Sequence, residues 1–456
     1  MNVKFNSCLF YFGVLAFGIS IFFQTQAQNL QPVWKAGVSK VDITPENTMW
    51  MAGYAGRIAP SQGTLHKLWA KALVLEDSQD NQVVMITADL SGMPKSMTDR
   101  IKGRLEKQWS LSAAQVMLNL SHTHSGPVLK DYLYHIYPLD NQEIEKINHY
   151  STVLENKIVK LVEEAMALLK PAKVFAENGV TRFQVNRRNN QESKILEIND
   201  LAGPNDYAVP VLKVEDLEGK LMAIAFGYAC HPTVLGINQW SGDYPGFAQL
   251  EIEKMYPGVT ALFLQGAGGD QNPLPRRTVS LAQQYGKELA SAVERVLLEE
   301  MRPLSPVMEM AYSEVDLPLN DPPSKETLAK MIQESTGHYQ SWAKMMDEQI
   351  KNGEVIRSYP FPIQIWKLGE QFLIGLGGEP VIDYAIQLKR QYGKDLFVFG
   401  YSNDVMAYIP TRTVLMEGGY EGATSQMAFG LPATWKSTIE TLIFTKIDDL
   451  LADFEK

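Results

Sequence analysis

Val116-Met117-Leu118-Asn119-Leu120 runs directly into Ser121-His122-Thr123-His124-Ser125-Gly126-Pro127, so an apolar segment of strand length ends in a cluster of hydroxyls and imidazoles. Open α/β sheets look like this at the carboxyl edge, where ligands and catalytic groups collect. The arrangement recurs along the chain. Leu221 to Ala229 leads into Cys230-His231-Pro232-Thr233, and Val259 to Leu264 into Gln265-Gly266-Ala267-Gly268-Gly269-Asp270-Gln271-Asn272-Pro273. Phe372 to Leu376 leads into Gly377-Gly378-Glu379-Pro380, and Leu396 to Gly400 into Tyr401-Ser402-Asn403-Asp404 and on to Tyr408. With Gln82 to Ala88 these runs form a set of buried strands.

Helical patterns lie between them: Glu143 to Leu169, Pro245 to Met255, Val279 to Leu298, Pro380 to Tyr392 and Pro432 to Phe454, several opened by Pro or an acid in a plausible first turn. The alternation predicts an α/β fold, a layered sandwich of mixed sheets covered by helices. No Ser/Gly or Pro-rich linker and no repeat divides the chain, so a single large domain is expected. Two polar segments, Gln184 to Tyr207 and the Met-rich helical stretch Lys325 to Lys351, read as excursions: lids over a site or solvated insertions.

The 456 residues are 45% hydrophobic and 21% charged, which excludes a disordered or fibrous chain. A net charge of −10 with no dense Lys/Arg cluster speaks against a nucleic-acid partner. The amino terminus carries Lys4, an apolar stretch from Cys8 to Phe23, and Thr25-Gln26-Ala27, the pattern of a leader cleaved after Ala27. An uncleaved anchor helix is the alternative. The expected organisation is a signal peptide over 1–27 and a catalytic domain over 28–456, exported to the periplasm or secreted, with at most peripheral membrane contact. Of the two cysteines, Cys8 lies in the leader and Cys230 is left alone, so no disulfide framework is expected.

His122 and His124 stand two apart and, in an extended segment, project to one side, where both could meet one cation or one substrate group. Two polar loop histidines bonded to backbone are the plainer alternative. His231 ends an apolar run, where a buried imidazole needs either a ligand or a satisfied partner. His66, His135, His149 and His338 lack such placement and read as structural or surface residues. Glu379 follows two glycines and precedes Pro380, which is expected to open a helix, so it reads as a carboxylate ligand or as a helix-cap acid.

In this order the residues resemble the neutral ceramidase family, zinc amidases that hydrolyse the N-acyl bond of ceramide. The resemblance runs from about Gly37 to about Gly430. Gly37-Val38-Ser39-Lys40-Val41-Asp42-Ile43-Thr44-Pro45 resembles the family's opening strand, and Gly53-Tyr54 its early turn. His122-Thr123-His124-Ser125-Gly126-Pro127 resembles its most specific motif. The resemblance implies Zn2+ held by His122, His231, Glu379 and Tyr408, with His124 facing the substrate as general acid/base. It also implies that Tyr420, in Tyr420-Glu421-Gly422-Ala423, touches the scissile group, and that Arg187 or Arg188, after Asn186, binds substrate. Asp270 and Asp243 read as groups orienting a ligand histidine, or as turn-stabilising aspartates; Asp270 and Asn272 are also expected at the substrate.

Two departures stand out. The family carries a serine before the proline of the glycine-rich segment, where this chain has Asn272, and an amide cannot be a nucleophile. Full-length ceramidases also carry a carboxyl-terminal immunoglobulin-like domain, and this sequence ends after one catalytic unit. Three functions are compatible: a zinc amidase acting through metal-activated water on ceramide or a related N-acylated lipid, a zinc hydrolase of a smaller N-acyl or O-acyl substrate such as an acylated sugar or amino acid, and a catalytically silent binding protein on the same scaffold. Oligomeric state is not legible.

Overall fold

The computed structural model describes residues 1–2 and 33–454. The expected leader over 1–27 therefore lies, but for its first two residues, outside the described residues. The body from Val33 onward opens with β1 (Trp34–Asp42), β2 (Trp69–Glu76), β3 (Gln82–Ala88), β4 (Val116–Leu120) and β5 (Lys170–Val180). The short β6 (Gln184–Asn186) leaves this sheet, and β7 (Ala208–Asp216), β8 (Leu221–Tyr228) and β9 (Thr260–Gln265) rejoin it. β10 (Gln271–Pro273) pairs with β6, and β11 (Arg302–Pro303) adds to β5. The nine-stranded sheet has the spatial order β4-β3-β2-β1-β5-β7-β8-β9, with β11 beside β5. Its ladders are antiparallel except for the parallel pairs β3/β4 and β8/β9.

A second sheet contains β12 (Met308–Pro318), β13 (Ser358–Leu368) and β14 (Gln371–Leu376) and, beyond the separate β15 (Glu379–Pro380), β16 (Phe397–Phe399) parallel to β14. β15 pairs in parallel with β17 (Tyr408–Ile409). The helices are α1 (Lys95–Trp109), α2 (Asn141–Ala167), α3 (Asp243–Met255), α4 (Val279–Leu298), α5 (Lys325–Glu334), α6 (Gly337–Asn352), α7 (Asp383–Tyr392), the short α8 (Arg412–Glu417) and α9 (Ser425–Ala428), and α10 (Ile439–Asp453).

Strand alternation sorts the side chains into layers. On β2, Ala70, Ala72 and Val74 pack against Ile101 and Leu105 of α1 and Ile158 of α2. Leu73 and Leu75 point the other way, into a core shared with Trp366, Leu373 and Phe397 of the second sheet. Farther along the large sheet, Phe226 and Phe263 lie under α3 and α4. The outer face of the second sheet, with Ile363, Ile365 and Ile374, is covered by Tyr384 and Leu388 of α7 and Ile439, Ile443 and Ile447 of α10. The result is helix, sheet, sheet, helix, the expected layered sandwich of mixed sheets. Burying each large aliphatic side chain between layers contributes roughly 2 kcal/mol.

Local chemistry explains where several elements begin. Asp140 accepts a hydrogen bond from the Glu143 amide and starts α2, and Thr278 accepts from Leu281 N to start α4 at the expected residue. The helix expected from Pro380 instead begins at Asp383. Glu379 and Pro380 are strand residues, so the Glu379 carboxylate sits beside β17 and does not cap a helix. The stretch from Lys325 to Lys351 is two helices, broken before Gly337, which adopts φ 59°. No helix among the described residues is long and apolar enough to cross a membrane.

Candidate metal centre and cleft

The ends of β4, β8 and β14 deliver the candidate ligands to one place. His122 follows β4 in the left-handed region, φ 61°, with its amide donating to Leu90 O. His231 follows β8, and its amide donates to Gln271 O. The parallel register of β15 with β17 sets Glu379 directly opposite Tyr408. Glu379 Oε2 lies 3.2 Å from His122 Nε2 and 3.0 Å from His231 Nε2. The Tyr408 oxygen lies 3.1 Å from His231 Nε2. All four side chains are buried.

Proton counting shows what this cluster lacks. His122 Nδ1 is 2.5 Å from Ser91 O and His231 Nδ1 is 2.7 Å from Gly268 O. A carbonyl can only accept, so each ring carries its proton on Nδ1 and, when neutral, turns a bare Nε2 lone pair inward. Burial pulls the His231 pKa down to about 4, which keeps that ring neutral at pH 7. Burial alone would raise the Glu379 carboxyl, but the imidazoles of His122 and His231 hold it well below the usual carboxylate range. With both rings neutral, two Nε2 lone pairs and a carboxylate oxygen face one another with no imidazole proton between them. A divalent cation fits such a donor set, and carbonyl-anchored Nδ1–H groups are the usual second layer of a metal site. Tyr401, in its own left-handed conformation, donates a further 3.2 Å bond to Glu379 Oε2.

His124 is brought closer to this cluster than its expected substrate-facing role suggests. Its Nε2 lies 3.1 Å from His122 Nε2, and His122, His124 and His231 together form a group able to hold an ion. Its Nδ1 is buried with no hydrogen-bond partner among the described residues. Burial, with His122 and His231 alongside, holds it well below the ordinary imidazole range, so at neutral pH it is an unprotonated base. Gly53, φ 105°, presses against this ring: a Cβ there would come within 2.4 Å of His124 Cγ.

Beside the cluster opens a cleft of about 650 Å³. Arg187, Arg188, Asn272 and Tyr420 line it. Arg187 Nη2 donates to the Tyr408 oxygen at 3.1 Å and Nη1 to Asn272 Oδ1 at 3.4 Å, which links cleft to cluster. Asn272 Oδ1 also accepts from Thr233 Oγ1. Tyr420 is half exposed, and its ring lies 5.3 Å from that of Tyr408. The polar excursion after Gln184 therefore builds a wall of the cleft.

Two aspartates are placed elsewhere. Asp270, expected at the substrate or behind a histidine, accepts from Ile382 N and Asn186 Nδ2 and bonds no histidine. Burial raises its pKa, and it ties the glycine-rich loop to the start of α7 and to β6. It is a loop-bracing residue because both oxygens are consumed by backbone and amide donors before they could reach the site. Asp243 accepts from Leu235 N and Tyr244 N, the turn-stabilising role. Sequence reasoning missed Glu421, Tyr401 and Thr233. Glu421 stands next to Tyr420 in a turn of π-helix, an irregularity frequent at functional sites, but its arginine partners lie more than 230 residues away.

Fold and site together define an α/β protein with a buried centre of nitrogen and oxygen donors opening to a polar cleft. Residues 34–276, just over half of the chain, match the profile of the neutral/alkaline non-lysosomal ceramidase N-terminal region, and the chain belongs to that family. It is 26% identical over 264 residues to neutral ceramidase B of Dictyostelium discoideum, covering 53% of this chain and 36% of that protein. It is 23% identical over 466 residues to a neutral ceramidase of Mycobacterium tuberculosis, covering 84% of this chain and 72% of the other. The chain thus spans about a third of the length of the Dictyostelium relative. The crystal structure of neutral ceramidase from Pseudomonas aeruginosa shares the fold, with a TM-score of 0.68 at 20% identity over 88% of this chain and 72% of that one. A ceramidase complexed with C2 superposes with a TM-score of 0.67 at 19% identity, covering 88% of this chain and 73% of the other.

Proposed function

We propose that the protein is a zinc-dependent amidase hydrolysing the N-acyl bond of ceramide or a related N-acylated lipid. The observation that carries this reading is the convergence of His122, His231, Glu379 and Tyr408 into a proton-poor cluster beside an open cleft. These four residues would hold the ion, with imidazole and carboxylate donors of the kind zinc takes. When bound there it supplies Lewis acidity, lowering the pKa of water and drawing charge from a carbonyl oxygen.

The chain's own residues do the rest. Arg187 points guanidinium protons at Tyr408 and Asn272 in the cleft wall, and the half-exposed Tyr420 hydroxyl stands beside them, both donors available to an acyl oxygen as it gains charge. Such donors typically contribute a few kcal/mol each. His124, unprotonated, takes a proton from the attacking water and delivers it to the departing amine nitrogen. The water oxygen bonds to the acyl carbon as the C–N bond breaks. Asn272 forms no acyl intermediate; its Oδ1 is engaged by Thr233 and Arg187, which turns its NH2 group to the substrate.

The mouth of the cleft suits an amphiphile. Met416, 78% exposed, adjoins Glu417 in the cleft wall, and the half-exposed Tyr420 ring lines the cleft itself. The walls themselves are polar, with Arg187, Arg188 and Arg276 facing Glu192, Glu417 and Glu421, and this favours as second reading a smaller, hydrophilic N-acyl or O-acyl substrate. Fluorogenic N-acyl amides of graded chain length, offered with and without chelator, decide between them. Chelator-sensitive release of long-chain acid is expected; release of short acyl groups alone supports the second reading, and silence with retained ligand binding leaves a binding protein. Export belongs to the same proposal: protein recovered outside the cytoplasm is expected to begin at Gln28, and an intact Met1 end would overturn the cleavage.

A further inference from the structure

Arg187 is the only side chain that touches both the cluster and the cleft by hydrogen bonds among the described residues, through the Tyr408 oxygen on one side and Asn272 on the other. Its guanidinium is a rigid planar fork, so whichever group grips Nε sets where the two Nη groups point. That grip is Glu421. Glu421 Oε1 accepts from Arg187 Nε at 2.7 Å, while its Oε2 accepts from Arg188 Nη1 at 2.8 Å. Glu421 is 3% exposed, and among the described residues its carboxylate bonds no other side chain. It occupies the π-helical turn that begins with Tyr420, and Arg188 Nη1 is held in addition by Gly418 O.

We propose that Glu421 is a positioning residue for the metal centre: by holding Arg187 Nε it aims Nη2 at the Tyr408 oxygen and Nη1 at Asn272, and in the same turn fixes Tyr420 at the cleft. This rests on the metal reading above. The Arg187 side chain is only 20% exposed, so loss of its carboxylate partner leaves a poorly solvated cation that must seek another and swing away from Tyr408. Tyr408 then loses the donor that lets a phenol oxygen serve among anionic ligands. Groups of this kind behind a ligand typically change metal affinity by ten- to a hundred-fold. Glu421→Gln keeps the shape but faces Arg188 or Arg187 with an NH2 donor where an acceptor is required.

The test is zinc affinity, measured by competition with a chromogenic chelator on the full chain, for wild type, Glu421→Gln, Arg187→Lys and the double variant. Glu421→Gln and Arg187→Lys are each expected to bind zinc about ten-fold more weakly. Because Glu421 acts through Arg187, the double variant is expected to be no weaker than Arg187→Lys alone. A merely structural role would lower the unfolding temperature of Glu421→Gln while leaving the zinc affinity of the folded protein unchanged, and that result, or additive losses in the double variant, overturns the proposal. A wild type that takes up no divalent ion brings down the metal reading itself. Should Glu421→Gln not fold, Glu421→Asp, which keeps the charge one methylene short of Arg187, carries the same comparison.

Discussion

His122 stands in a backbone conformation that costs a non-glycine residue on the order of 1–3 kcal/mol, and its ring is locked to Ser91 O. Strain held in this way is consistent with a side chain whose direction matters more than local stability. Replacing His122 by Ala is expected to abolish stoichiometric zinc in elemental analysis; full retention would remove His122 from the ligand set. Gly53→Ala forces a methyl group against His124, and a displacement approaching 1 Å can cost on the order of a hundred-fold in rate. A large fall in kcat/KM with zinc still bound is expected, and wild-type kinetics would free His124 from that turn. Away from the centre, burial pushes the Asp404 carboxyl up to about 7, although Tyr359 donates to it. Its folded pKa exceeds the unfolded value near 3.8, so its contribution to stability is complete below about pH 4 and is lost as pH rises through about 7. Asp404→Asn is expected to flatten urea-unfolding stability across that window; an unchanged slope would show that Asp404 does not titrate there. At this scale the imidazoles and Glu379 stand out in the sequence because each follows an apolar run, whereas Tyr408 enters only through the family resemblance. Glu421 was not, because a carboxylate's arginine partners across more than 200 residues leave no local pattern.

Among the elements, β3, β4 and α4 lie where their residues alone place them: the strands are short apolar runs, and Thr278 caps the helix. The misplaced start of α7 has a physical cause. Proline at residue 380 suits a first helical turn, but its backbone is equally suited to an edge pairing, and the register with Tyr408 decides the matter. The hairpin of α5 and α6 was also ambiguous, since a Met-rich amphipathic pattern does not name the surface it covers. Trp342 of α6 donates its indole N–H to Leu431 O at 2.9 Å, and the small core around it takes in Met427, so the hairpin braces the segment that follows Tyr420. Trp342→Phe removes that donor at a cost of about 1 kcal/mol. Faster proteolysis within residues 420–431 is expected, together with a lower kcat/KM; unchanged protection there would separate the hairpin from the site.

Across the whole molecule, the layered architecture was legible because strand alternation and helical spacing each point to one buried side. What composition could not convey is that His122 and His231, at the ends of β4 and β8 of the large sheet, meet Glu379 and Tyr408 of the two-stranded β15/β17 pair, which begins just after β14 of the second sheet. A ligand that binds only the folded state at a hundred times its Kd adds about 2.7 kcal/mol to stability. Stripping zinc is therefore expected to lower the unfolding temperature, and adding it back to restore it; a transition indifferent to chelator would mean that no ion is held in the native state.

With donors drawn from both halves, an ion seated there acts as a rivet driven through two plates. Neither plate grips it alone, so capture comes at the end of folding, after both sheets have docked. Any loosening that parts them must release it, and the rate at which a chelator captures zinc from the native protein then clocks how often the sandwich breathes open.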